Sequence, residues 1–412
     1  MSSARGNVPL YLVLAMVCAD MLAAGSALPV LPEVIRTLTG GDSGAAAIHL
    51  ALMIAVMNAL QFVAAPALGA LSDRLGRRPM VLLVLGCSML NNALIAFVPS
   101  LGVLYLTQVI TGLAVAKVAV ISAYIADISG PEQRIRNFGL LGLCMNGGFV
   151  LGSATGGLLG AVSLHLPYLV AAALQAVNLI FALTSLPESH PPEKRRPVRL
   201  PQLYPWRALA VLRSTPAMSR VSALVLCYCF ATLTFQSMWV FYSGKRFGWG
   251  PLQNGILLAV LSACMGLAQS KLVPVMVARL GERRAMLAGL ASAAVALGGL
   301  AFVGSPWIVV PFVLCYTVGC VITPASRAAA AREVAAEEQG RVQGALAGLN
   351  SLDALVAPLI GSALFDYFTG PEAVVAFPGA PFLLCGLILL FAMRIVRRKR
   401  WPAGTRDEVG VR

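Results

Sequence analysis

The chain has 412 residues, of which 58% are hydrophobic and only 12% charged, and its mean hydropathy is +0.81. A water-soluble domain usually carries about 25% charged residues, so this composition excludes an ordinary soluble enzyme and belongs in lipid. The net charge of +14 invites a nucleic-acid reading, but the placement of the basic residues argues against one.

Apolar runs of about 20 residues, each able to cross roughly 30 Å of hydrocarbon as a helix, recur along the whole length. Twelve are expected, starting near Val8, Ile48, Met80, Gly102, Phe138, Leu166, Val221, Leu252, Met286, Trp307, Val342 and Pro381. A β-barrel is excluded, because barrel strands are short and alternate in polarity. The first run contains Asp20 and continues through "ALPVLPEVI" without a small-residue cleavage site, so it reads as a retained helix rather than a signal peptide.

Between the second and third runs lies "GALSDRLGRRPMVLL", Gly69 to Leu83, with Asp73, Arg74, Arg77 and Arg78 on a tight turn. Three cations beside one carboxylate at a helix end can form a breakable contact of the kind an alternating structure needs. The third run carries Asn91 and the fourth carries Gln108 and Lys117. A lysine in hydrocarbon costs about 2.5–3.5 kcal/mol on insertion scales, so Lys117 is expected to meet an opposite charge. That charge is either a side chain, Asp20 or Asp353, or an anionic or zwitterionic cargo. Asp127 closes the fourth run. Asn146 and the small-residue stretch "GGFVLGSATGGLLG", Gly147 to Gly160, lie in the fifth, where small residues permit close helix packing in lipid.

A polar segment rich in Pro and Arg, about 187–220, reads as a linker between a six-helix bundle over 1–186 and a second over 221–396, with a basic tail over 397–412. "LGRRPM" (Leu75 to Met80) recurs as "LGERRAM" (Leu280 to Met286), and "EQRIRNFGLLGL" recurs as "EQGRVQGALAGL", both offset by about 205 residues. Two matches at one offset indicate an internal duplication. Six helices per repeat give parallel repeats related by an axis along the membrane normal, with a cavity expected near the bilayer midplane. In the second repeat Gln236, Trp239, Asn350 and Arg327 are further candidates to contact a cargo, with Phe235 and Tyr228 as apolar walls, while Lys271 and Arg327 are also placed to snorkel. Asp20 and Asp353 fall near the middle of their runs and are the candidates for proton coupling, which needs a carboxylate whose protonation burial can tune.

The basic residues collect in alternate connections, including "EKRRPVRL" and "RIVRRKR", whereas the opposite face shows only Arg36, Lys245 and Arg246. This is the positive-inside pattern. It places both termini in the cytoplasm of a cell with this protein in its inner or plasma membrane. All nine cysteines fall in the apolar runs and read as small hydrophobes rather than disulfides or metal ligands. His49, His165 and His190 form no catalytic or metal-ligand spacing, and there is no phosphate-binding loop of the ATPase type. No enzyme activity, metal, cofactor or nucleic-acid partner is expected; the expected partners are lipid, protons and a small molecule, and the expected state is a monomer.

The loop Gly69 to Leu83 resembles the signature loop of the major facilitator superfamily. Over most of its length the chain is similar to the drug–proton antiporter branch, and most of all to tetracycline exporters, through "PVLPEVI", "LYLTQVITG", "AYIADISGPEQRIRNFG", "LPESH", "ARLGERRAM" and "GRVQGALAGLNSL". The resemblance implies an all-α integral membrane protein with twelve transmembrane helices in two pseudo-symmetric six-helix bundles, the major facilitator fold. It implies that Asp73 and Arg77 join Asp127 in a charge cluster holding the outward-facing state. Asp20 matches a first-span carboxylate of tetracycline exporters. Their third-span carboxylate aligns with Asn91, their fourth-span arginine with Gln108 and their ninth-span carboxylate with Ala293, and Ser153 stands where the antiporter motif has proline. These departures argue against tetracycline itself. The expected function is proton-coupled efflux of a small organic molecule, a drug or an acidic or zwitterionic metabolite such as a carboxylate siderophore. The alternative is an importer of such an anion on the same fold.

Overall fold

The computed structural model describes residues 8–98, 100–113, 117–129, 131–189, 212, 215–334, 339–370 and 373–397. Most of the central linker and the tail lie outside the described residues. So do some side chains within helices, those of Asp73 and Lys117 among them.

Every regular element among the described residues is helical. This is the arrangement lipid demands, since a helix satisfies its backbone hydrogen bonds internally. In the first half these are α1 (Val8–Ala27), α2 (Leu31–Leu38), α3 (Ser43–Leu75), α4 (Arg77–Phe97), α5 (Leu101–Leu113), α6 (Lys117–Ile128), α7 (Pro131–Val162) and α8 (Leu166–Ser185). The second half contributes α9 (Pro216–Phe247), α10 (Pro251–Leu267), α11 (Val273–Leu280), α12 (Glu282–Leu300), α13 (Pro306–Val318), α14 (Ile322–Arg332), α15 (Gln339–Thr369) and α16 (Ala380–Arg397). A π turn at Ala268–Leu272 joins α10 to α11, and a 3-10 turn at Gly319–Val321 joins α13 to α14. Nine spans among the described residues are long and apolar enough to cross a membrane. The remaining expected spans are helical as well: α5 with α6, α7, and α12.

The helix ends follow local chemistry. Thr215 caps α9, its side chain accepting from Met218 N at 3.0 Å, and Pro216 occupies the first turn, where no N–H is needed. Gly76 and Gly281 separate consecutive helices with φ of 107° and 76°, a region that disfavours side chains. Large apolar side chains such as Phe97, Val177, Val295 and Trp307 point outward, Trp307 with 85% of its surface exposed. In water that surface would be a liability; in acyl chains it is the solvent-facing side.

The described chain forms two compact units. One comprises residues 1–41, 56–204 and 250–263, the other 42–55, 205–249 and 264–412. Each takes in a short piece from the other half of the sequence, and glycines explain why. Gly255 of α10 lies in van der Waals contact with Gly157 of α7 in the first unit, and Gly44 of α3 lies against Asp366 of α15 in the second.

The first unit is built on α1 packed along α7. A Cβ on Gly148, Gly152 or Gly156 would collide with the carbonyl oxygens of Cys18, Leu22 and Ser26 in turn, so one glycine per turn sets the approach of the two backbones. Its core gathers Val13, Val17, Met80, Leu85, Val120, Tyr124 and Ile125. The second unit is centred on an aromatic cluster, with Phe235 and Tyr316 at 4.9 Å between centroids and Tyr242 and Phe382 likewise at 4.9 Å.

Candidate functional site

At the basic end of the first unit, the loop residues meet the end of α6 and the start of the linker. Arg77 Nε donates to Asp127 Oδ2 at 3.4 Å and its Nη1 donates to Ser72 Oγ at 2.9 Å. The N-terminus of α4 has no cap from Gly76. Instead Glu188, at the start of the linker, accepts from Arg77 N at 2.9 Å and Arg78 N at 3.3 Å. Such a carboxylate satisfies two orphan donors and complements the positive helix end. Arg78 Nη2 in turn donates to Leu183 O at 2.7 Å, Tyr124 Oη to Pro187 O at 2.8 Å, and Ser189 Oγ to Asp127 Oδ2 at 3.4 Å. Four of the expected loop residues can be followed: Arg77, Arg78 and Asp127 are brought together, Arg74 is exposed, and the side chain of Asp73 lies outside the described residues. Glu188 and Tyr124 were not among the expected residues. Only the segment "LPESH" pointed toward the former.

Within the apolar part of the first unit, Asp20 is 2% exposed and accepts a 2.7 Å hydrogen bond from Gln175 Nε2. The cavity beside it, walled by Val13, Val17, Val84, Leu85 and Val120, has a volume of about 20 Å³. That is room for roughly one water. Asn91 accepts from Thr111 Oγ1 at 3.2 Å, linking the third and fourth spans. Asn146 is exposed and turns its amide back to Gly142 O at 2.8 Å. Gln108 is half-buried on α5. Lys117 begins α6, and its expected pairing with a carboxylate lies outside the described residues.

The second unit contains a larger cavity of about 300 Å³ between α9, α14 and α15, within the range of small-molecule sites. Half of its lining residues bring polar side chains: Thr232, Gln236, Thr323, Ser326, Arg327 and Asn350. Arg327 is the one charged residue among the lining residues. One turn along α15 from Asn350, Asp353 is 4% exposed, and its Oδ2 has no hydrogen-bond partner among the described residues. Cys229, also in the wall, is within electrostatic reach of both Asp353 and Arg327. The part of the wall contributed by α14 starts at Ile322, directly after the 3-10 turn. Trp239 does not line this cavity. It is fully buried, stacked on Phe382 and tilted against Phe235, so in this structure it is core.

The chain matches the Major Facilitator Superfamily over residues 12–322 and again over 224–411. It is 35% identical over 404 residues to the tetracycline resistance protein, class C, of Escherichia coli, covering 97% of this chain and 99% of that protein. It is 32% identical over 392 residues to the class G protein of Vibrio anguillarum, covering 94% and 96%. Among solved structures it is similar to the nucleoside transporter NupG, with a TM-score of 0.76 and 16% identity over 95% of this chain and 100% of that one; this likeness concerns the fold. The chain belongs to the Major Facilitator Superfamily and is a multi-pass membrane transporter, not an enzyme, related to the tetracycline resistance proteins.

Proposed function

We propose that this protein is a proton-coupled exporter of small amphoteric organic molecules, in an inner or plasma membrane, with its basic face and both termini in the cytoplasm. The observation that carries the reading is the cavity of the second unit, lined by Arg327 and a set of neutral hydrogen-bonding groups, one of which, Asn350, lies one helical turn from the buried Asp353.

The sign of the coupling follows from charge. An antiporter must bind proton and cargo in competition. A cargo cation that pairs with ionised Asp353 competes with a proton there, while an acidic or acceptor group on the same molecule is held by Arg327. A molecule carrying both groups uses both residues. In a low-dielectric cavity each contact is stronger than it would be in water. Asp20 is assigned a structural part, because its cavity is too small for cargo and Gln175 already engages it. The loop cluster of Asp73, Arg77, Arg78 and Asp127 is assigned the latch that opens and closes as the carrier turns over, supported by the Arg77–Asp127 pair at 3.4 Å.

A carboxylate siderophore would use only the Arg327 half of the site, and the relatives, named for tetracycline resistance, lend it no support. The importer reading draws on Arg327 as well. A purely anionic cargo would bind better when Asp353 is protonated, and that sign gives symport rather than antiport.

The test is transport into everted membrane vesicles. A fluoroquinolone and a tetracycline serve as amphoteric probes, a permanently cationic dye and a simple aromatic carboxylate as single-charge probes. The expected result is proton-gradient-driven accumulation of an amphoteric probe that is lost in Asp353→Asn and weakened in Arg327→Gln. Accumulation of the carboxylate alone, or gradient-driven transport in Asp353→Asn, contradicts the proposal.

A further inference from the structure

The duplication places Glu282 opposite Arg77 and Arg332 opposite Asp127, each at an offset of 205 residues. Both pairs form. Arg77 Nε meets Asp127 Oδ2 at 3.4 Å, and Arg332 Nη2 meets both carboxylate oxygens of Glu282 at 2.7 Å. In each repeat the next arginine staples the last helix of that repeat: Arg78 to Leu183 O on α8, and Arg283 to Val396 O at 3.1 Å and Arg397 O at 2.7 Å on α16. The architecture is the same, and the polarity of the ion pair is reversed.

The reversal matters because each member sits on a helix end. Glu282 lies in the first turn of α12 and Arg332 in the last turn of α14. An acid at a positive helix start and a base at a negative helix end are both favoured. Arg77 opens α4 and Asp127 lies in the last turn of α6, so both are opposed by their helices. The first pair is correspondingly longer. The acid that the start of α4 lacks comes from outside the repeat unit, as Glu188 of the linker; α12 carries its own and needs no such donation.

We infer that the two pairs have divided the work: Glu282–Arg332 is a standing brace that keeps the second unit rigid, and Arg77–Asp127 is the releasable contact, held closed with the help of the linker carboxylate Glu188. This assignment rests on polarity and distance and is independent of what the carrier transports.

Hydrogen exchange on the purified full-length protein tests it without a cargo. In the wild type, the start of α4 and the end of α6 are expected to exchange about five- to tenfold faster than the start of α12 and the end of α14. Reversing the first pair to match the second (Arg77→Glu, Asp127→Arg, with Glu188→Gln to remove the new like-charge contact) is expected to slow exchange at the first pair, raise the melting temperature and lower turnover in vesicles. Equal exchange at the two sites in the wild type overturns the inference, as does a reversed pair that exchanges as fast as the native one. Should the triple variant fail to insert, Glu188→Gln alone is expected to speed exchange at the start of α4 and leave α12 unchanged; no change at α4 overturns the inference.

Discussion

Gln175 on α8 donates a 2.7 Å hydrogen bond to the buried Asp20 on α1, joining two helices 155 residues apart in the chain. A hydrogen bond to a carboxylate out of water is worth about 1.5–3 kcal/mol, and removing the donor takes that contribution away. Gln175→Leu is therefore expected to lower the melting temperature by several degrees, measured on the detergent-solubilised protein. Asp20→Asn, which keeps an acceptor for Gln175, is expected to retain gradient-driven transport with its pH dependence intact. Loss of pH dependence in that variant would return Asp20 to the coupling site.

Ser153 occupies the position where the antiporter motif has proline. Its side chain is fully buried, and Oγ has no hydrogen-bond partner among the described residues. An unsatisfied buried hydroxyl costs roughly 1 kcal/mol or more. Ser153→Ala is expected to be neutral or stabilising by about 1 kcal/mol, read as a melting shift. A clear loss of stability would mean that the hydroxyl has a partner.

The neighbouring Gly152 behaves in the opposite way. Its Cβ would run into Leu22 of α1, and overpacking between rigid backbones typically costs about 1–3 kcal/mol. Gly152→Val is expected to reduce the amount of protein in the membrane, while Gly147→Ala, with open space around the position, is tolerated.

Trp239 separates a core role from a binding role. Truncation to Ala is expected to cost about 3–5 kcal/mol and to remove the protein from the membrane. Trp239→Phe keeps the stacking on Phe382 and deletes an indole N–H that has no partner among the described residues. It is expected to fold and to leave the KM for a transported probe unchanged. A selective rise in KM would place Trp239 at the cargo after all.

The apolar runs were legible in the sequence because lipid filters composition directly. Gly102, Trp307 and Pro381 mark starts that lie within one residue of α5, α13 and α16. The start of α7 was placed at Phe138, but the helix begins at Pro131. Hydropathy registers the stretch inside hydrocarbon, and the helix runs on through the polar "PEQRIRN". Repetition exposed the loop and its copy, and the resemblance to the major facilitator superfamily linked Arg77 to Asp127 beforehand. What remained hidden are contacts set by tertiary packing. Nothing local to Gln175 points to Asp20. Thr323 and Ser326 resemble any polar residues in a span until α9, α14 and α15 enclose a cavity around them. Glu282 was visible in the copy of the loop, but its pairing with Arg332 emerged only from the packing, and the reversed polarity gained meaning only once the helix ends were known.

Proton displacement measures the central claim most directly. Purified protein in weak buffer is mixed with an amphoteric probe that it transports, and the released protons are counted. If the cargo cation replaces a proton on Asp353, binding releases up to about one proton per molecule bound, and affinity falls as pH is lowered, up to about tenfold per pH unit. Asp353→Asn then binds without release. Proton uptake on binding, or undiminished release from Asp353→Asn, would contradict exchange at this carboxylate.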